Sequence, residues 1–180
     1  MVLGKFRLPG TNGDAEEPSG DANDRFPLTF NEMLDENRRT WGDKIAFQQK
    51  IKREWRRFSH NDTYAASYEV AAGLTALGLR PGERVVLILE NSFDWVRSYY
   101  GIVLTGGVAV PIYYDLKDAE ISAMIAHADP MMAIVSPKAR AKLADALSKL
   151  QTIIVVAPEV EATDGGHHGL TRTPHPARPS

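Results

Sequence analysis

The chain has 180 residues, 43% hydrophobic and 24% charged, with 21 Lys and Arg against 23 Asp and Glu for a net charge of −2. That balance suits one globular domain and excludes the broad basic surface of a nucleic-acid binder. With no cysteine, disulfides, thiolate nucleophiles and cysteine-based metal sites are excluded as well, which fits a reducing cytoplasm.

No stretch reaches the roughly 20 apolar residues of a membrane span, and the opening MVLGKFRLPGTNGD lacks the apolar run of a secretory signal. The expected location is cytoplasmic, with peripheral contact to a membrane left open. Residues 1–26 are rich in Gly, Asp, Glu, Asn, Pro and Ser. They carry too little apolar surface to offset their ordering entropy and read as a disordered tail. Order is expected over residues 27–157. Thr29 and Glu32 form a capping-box pattern, and Phe30, Met33, Leu34 and Trp41 predict a short amphipathic helix ending at Gly42.

Two strands are expected next, Lys44–Gln48 and Glu54–Phe58, joined by a turn at Lys50, Lys52 and Arg53, with Trp55 and Phe58 on the buried side. Ser59, Asn61 or Asp62 caps a helix running to about Leu77, with Val70, Leu74 and Leu77 on one face. Gly78 ends it and Pro81-Gly82 makes a turn. From here apolar runs of strand length alternate with helical patterns. Val85–Leu89, Val108–Val110, Met131–Val135 and Ile153–Val156 are the strands. The helices between them start near Asn91-Ser92, Lys117 and Pro137. Their inward faces are expected at Phe93, Val96, Tyr100 and Val103, at Ile121, Met124, Ile125 and Ala128, and at Leu143, Leu147 and Leu150. The strands recur roughly every 23 residues, about what a strand–helix–strand crossover requires. Uninterrupted Val, Ile and Leu mean that both faces are covered. The fold class is therefore α/β, a parallel-rich sheet flanked by helices. Residues 158–180 have no hydrophobic period and four prolines, and read as an unstructured tail.

The segment LTGGVAVPIYYDL, residues 104–116, admits two readings. In the plainer one, Gly106 and Gly107 give the left-handed exit from a helix. Val108–Val110 form a short buried strand, Pro111 closes it or sits at an edge, and Asp115 or Asp118 starts the next helix. In the functional one, Pro111-Ile112-Tyr113-Tyr114 lies beyond the carboxyl end of a parallel strand, where ligands bind in open sheets.

The run RPGERVVLILENSFDWVRSYYGIVLTGGVAVPIYYDLKDAEISAMIAHADPMMAIVS, preceded by WRRFSHNDTYAASYEVAAGL, resembles the N-terminal part of the adenylate-forming (AMP-binding) acyl-CoA synthetases. The Pro-Ile-Tyr phrase leans toward their long-chain fatty acid branch, and the resemblance covers roughly residues 28–157. It implies an ATP-dependent fatty acid–CoA ligase that makes an acyl-adenylate and then the CoA thioester, with ATP, Mg²⁺ and CoA belonging to the full-length enzyme. In that family LTGGVAVPIY is similar to a core helix–strand element, which favours the plainer reading. The family's Ser/Thr/Gly-rich loop ending in Pro-Lys-Gly, which cradles phosphates through backbone N–H groups, has no counterpart here. The glycine pairs are Gly106-Gly107 and Gly165-Gly166, and neither leads to a placed Lys-Ser or Lys-Thr. The resemblance thus implies a truncated, inactive form, with no catalytic, cofactor-binding or metal residue assigned in this chain. The alternative is a non-catalytic flavodoxin-like binding module.

Other constellations have plain explanations. His167, His168 and His175 lack a carboxylate or Cys at ligand spacing. His127 and Asp94 suit the ends of helices, and His60 a cap region. Tyr99, Tyr100, Tyr113 and Tyr114 suit core and rim. Arg53, Arg56 and Arg57 suit the wet face of a strand, with contact to anionic lipid or CoA phosphate as the lesser reading.

Overall fold

Thr29 opens the ordered chain because its side chain accepts from the Glu32 N–H at 3.2 Å while Glu32 accepts from the Thr29 N–H at 3.0 Å. The computed structural model describes residues 29–157 and the backbone of Thr171–Pro174. The expected tail at 1–26 lies outside the described residues. Helix α1 (Phe30–Trp41) leads into a hairpin of β1 (Ile45–Ile51) and β2 (Glu54–Ser59) and then α2 (His60–Ala76). Ser59 and Asp62 repeat the reciprocal cap at the start of α2, with bonds of 3.1 and 2.8 Å. The α/β portion follows as β3 (Arg84–Ile88), α3 (Phe93–Leu104), β4 (Val108–Pro111), α4 (Asp118–Ala128), β5 (Met132–Val135), α5 (Pro137–Lys142), α6 (Ala144–Leu147) and β6 (Thr152–Val155).

The main sheet has the order β4-β3-β5-β6, all parallel. This is the expected α/β class, with helices on both faces. A further strand, β7 (Thr171–Pro174), pairs antiparallel with β6. It falls within the segment 158–180 read from sequence as unstructured; the rest of that segment lies outside the described residues. The free edge of β6 supplies the unpaired backbone groups that recruit it.

Alternate residues of the buried strands go to opposite faces. Val86, Ile88, Ala133, Val135 and Ile153 pack with Ile121 and Ile125 of α4 and with Leu143, Leu147 and Leu150. Val85, Leu87, Met132, Ile134 and Ile154 pack with Val70 and Leu74 of α2 and Ile102 of α3. The strands are continuously apolar because both of these clusters need them.

Several expected burials differ. Of the two aromatics expected on the buried side of β2, Phe58 turns inward and Trp55 is exposed. On α3 the fully buried side is Ser98, Gly101 and Ile102, one step round from the expected stripe, because α2 packs against this side, with Val70 leaving no room for a side chain at Gly101. Met124 is exposed while Ile121 and Ile125 are buried. Strand β4 is an edge, so Val108 is exposed rather than buried, and Pro111 sits where no further ladder bond is asked of it. Of the glycine pair only Gly106 has positive φ, at 76°. The expected helix after Pro137 is two helices, since Leu143 leaves helical dihedrals at φ −112° and ψ 26°.

The contact of α2 with α3 turns on Gly101. A Cβ there would lie 2.5 Å from Cγ1 and 2.6 Å from Cβ of Val70, and 3.2 Å from the Ala71 nitrogen. Alanine in place of glycine gains about 1 kcal/mol of helix propensity, but the clash is with atoms close to backbone, and overpacking costs about 1–3 kcal/mol. Gly101→Ala is expected to lower the urea midpoint, and adding Val70→Ala to recover part of the loss. A Gly101→Ala chain as stable as the parent would show that the helices are not in this contact.

Candidate functional site

The connections leave the sheet on opposite faces. After β3 the chain passes into α3 on the Val70/Ile102 side, whereas after β5 it passes into α5 on the Leu143/Leu147 side. Strand order therefore reverses between β3 and β5, and such a reversal opens a crevice beyond the carboxyl ends of the two strands. The structure has a cleft of about 440 Å³ there. Leu89, Glu90 and Asn91 reach it from the end of β3, Ser136 and Lys138 from the end of β5, and Val156 from the end of β6.

The hairpin forms the roof. Phe58 of β2 stacks on Phe93, with ring centroids 3.8 Å apart and planes 6° from parallel. The Phe93 N–H at the start of α3 donates to Gln49 Oε1 of β1 at 2.9 Å. That bond satisfies one of the donors a helix start leaves free and ties the hairpin to the sheet. Ser92 accepts from the Trp95 N–H at 3.2 Å, and Ser136 accepts from the Ala139 N–H at 3.2 Å. Ser136 also donates to Glu90 Oε1 at 3.2 Å, which joins the ends of β3 and β5 across the crevice. Asp94 is held by Arg97 at 2.7 Å within one turn of α3.

Among the described residues Lys138 is the one cation lining the cleft, and its Nζ lies 5.6 Å from the centre of the Tyr114 ring. Asp115 holds the Tyr114 phenol above its ordinary range, with partial burial, Tyr113 and Glu90 adding to the effect. Outside the cleft, Lys142 donates to Leu116 O at 3.0 Å and pairs with Asp118 at 2.9 Å. A triphosphate entering here would meet the carboxylate of Glu90 and that of Asp94, already paired with Arg97, and only Lys138 would be left to receive it. The described side chains do not fit such a ligand, and no group of three or more metal-ligating side chains gathers among the described residues.

The architecture defines a parallel α/β scaffold with a strand-end cleft roofed by a hairpin. The family model of the AMP-binding enzyme matches residues 34–179, and the chain belongs to that family. The match runs beyond residue 157, where the resemblance seen in the sequence ends. The "Long-chain-fatty-acid--CoA ligase" of Bacillus subtilis is 32% identical over 123 residues, 62% of this chain and 21% of that protein. A rat (Rattus norvegicus) protein, "Long-chain-fatty-acid--CoA ligase ACSBG1", is 32% identical over 103 residues, 57% of this chain and 14% of its own length. The chain thus spans about one-seventh to one-fifth of these relatives. Among solved structures, the anthranilate CoA ligase AuaEII in complex with anthranoyl-AMP superposes with a TM-score of 0.64 at 26% identity, over 73% of this chain and 26% of that one.

The candidates weighed from sequence are scattered. Tyr113 is exposed beyond β4, and Tyr114 packs beside Lys138 rather than in the main cleft. Trp95 stacks on Tyr99 at 5.3 Å, and Tyr100 lies edge-on to Phe30 at 4.7 Å, so both tyrosines belong to packing. His60 begins α2, and His127 lies exposed in the last turn of α4. His167, His168 and His175 lie outside the described residues. Glu90 and Ser136 were missed from sequence, although each is the first polar residue after a buried strand run and could have been found from that position. Gln49 had no such signal, since only the tertiary fold brings it to Phe93.

Two substitutions test this site. Ser136→Ala removes a cap and the partner of Glu90, and is expected to cost about 0.5–2 kcal/mol in urea unfolding. Gln49→Ala is expected to raise the exchange rate of the Phe93 amide with smaller global effect. Unchanged exchange at Phe93 would show that the hairpin is not tied there.

Proposed function

We propose that these residues are the scaffold of an ATP-dependent long-chain fatty acid–CoA ligase, and that its charge-handling groups lie outside them. The observation that carries this reading is the AMP-binding family match over residues 34–179. Two further facts support it. Long-chain-fatty-acid–CoA ligases are among the curated proteins this chain is similar to, and the two carboxylates of the cleft, Glu90 and Asp94, are committed to Ser136 and Arg97. In such an enzyme ATP, Mg²⁺ and CoA act with the fatty acid. Mg²⁺ neutralises the leaving pyrophosphate, and a loop of backbone N–H groups with a lysine grips the phosphates. No residue of this chain is assigned to those tasks.

The polypeptide alone is expected to give no carboxylate-dependent exchange of pyrophosphate into ATP. Exchange above background would overturn the scaffold assignment. In the coding DNA beyond Ser180, a frame containing a Ser/Thr/Gly-rich loop ending in Pro-Lys-Gly is expected, and its absence from every frame counts against the ligase reading. The apolar wall of the cleft, formed by Ile51, Phe58, Leu89, Phe93 and Val156, favours a second reading as a non-catalytic flavodoxin-like binding module. A monomeric chain with one cooperative melt would support that reading.

A further inference from the structure

In an antiparallel pair, directly opposed residues share a face. Phe47 opposes Phe58 and Gln49 opposes Arg56; Gln49, Ile51 and Phe58 line the cleft, so this face looks toward the sheet. The pairs Gln48–Arg57 and Lys50–Trp55 fall on the other face, and all four residues are exposed. Trp55 is 58% exposed, and Trp41 and Ile45 at the base of the hairpin are 44% and 52% exposed. Three of the six large apolar side chains most open to water among the described residues thus fall between residues 41 and 55. Charge gathers there too. From Lys50 to Arg57 five residues are cationic and one acidic, in a chain of net charge −2. Lys50, Arg53 and Arg57 have no ion pair with a described carboxylate.

An indole places its apolar body and its N–H together best at a boundary between hydrocarbon and water, and cations near an anionic leaflet each strengthen binding about fivefold. We infer that the outward face of the β1–β2 hairpin docks on an anionic lipid surface, with Trp55 entering the headgroup layer and Lys50, Arg53 and Arg57 facing lipid phosphates. The cleft is on the opposite side of the hairpin, so the two do not compete. A lipid leaflet suits this face better than a shaped protein partner, because the face presents one indole among long flexible cations and the groove lies elsewhere. No helix among the described residues is long and apolar enough to cross a membrane, so the contact is peripheral. The inference stands apart from the ligase proposal, since it rests on the hairpin surface alone.

Flotation of the whole chain with vesicles tests it, because lipid-bound protein rises while aggregates sink. Vesicles of phosphatidylcholine containing phosphatidylserine are expected to carry the chain up, those of phosphatidylcholine alone are not, and rising salt is expected to release it. Lys50→Glu with Arg57→Glu is expected to weaken binding at least about 25-fold, and Trp55→Ser to weaken it without removing its salt dependence. Lys117→Glu with Lys149→Glu, matched in charge but away from the hairpin, is expected to retain most of the binding. Far-UV melts common to all variants establish that they fold alike. No flotation, equal flotation with neutral vesicles, or equal loss in the matched control would overturn the inference. So would a lipid-free dimer abolished by Trp55→Ser, which would assign the face to a second copy.

Discussion

Everything in the molecule depends on burying β3 from both sides. Val85, Val86, Leu87 and Ile88 are each 0% exposed, and their burial contributes about 6–12 kcal/mol. That is comparable to the whole net stability of a domain, so neither face of the strand can be left to water. Helices must therefore cover both faces, with β4 and β5 flanking the strand. Helices on opposite faces require connections that leave the sheet in opposite senses. The reversal of strand order between β3 and β5 follows, and with it the cleft.

The polar lining of that cleft comes from the same constraint. Short connections bring helices α3 and α5 to start just beyond the strands, and each start needs acceptors for free N–H groups. Ser92, Ser136 and Gln49 supply them. Glu90 then finds the Ser136 hydroxyl, and Asp94 finds Arg97. The constellation has the position of a ligand site and the chemistry of a set of helix caps, and the proposed scaffold role rests on that chemistry.

The hairpin adds a layer of a different kind. Its inner face meets the sheet through aromatic rings, Phe58 on Phe93 and Phe47 near both Phe93 and Tyr100. Its outer face keeps a tryptophan and several cations in water. A two-stranded unit has little core of its own, so its place is set by the Phe58–Phe93 stack and the Gln49 bond. Choosing which aromatic goes inward frees the other to serve the surface.

The sequence alone determined the helix starts, the parallel α/β class and the family, because those follow from local patterns. Thr29 with Glu32 and Ser59 with Asp62 are caps readable three residues apart, and uninterrupted Val and Ile announce a strand covered twice. Tertiary structure decided the rest. Trp55 and Phe58 lie three apart in an alternating strand, so burying one exposes the other. The choice fell to Phe58 because Phe93 waits opposite it, from an element more than thirty residues away. Gly101 lies inward on α3 because α2 approaches to within a methyl group, a distance no single-helix pattern encodes. Val108 is exposed because β4 ended as an edge, and Thr171–Pro174 became a strand because β6 offered one. Such outcomes depend on which partner each face meets, and that is a property of the assembled sheet rather than of any segment within it.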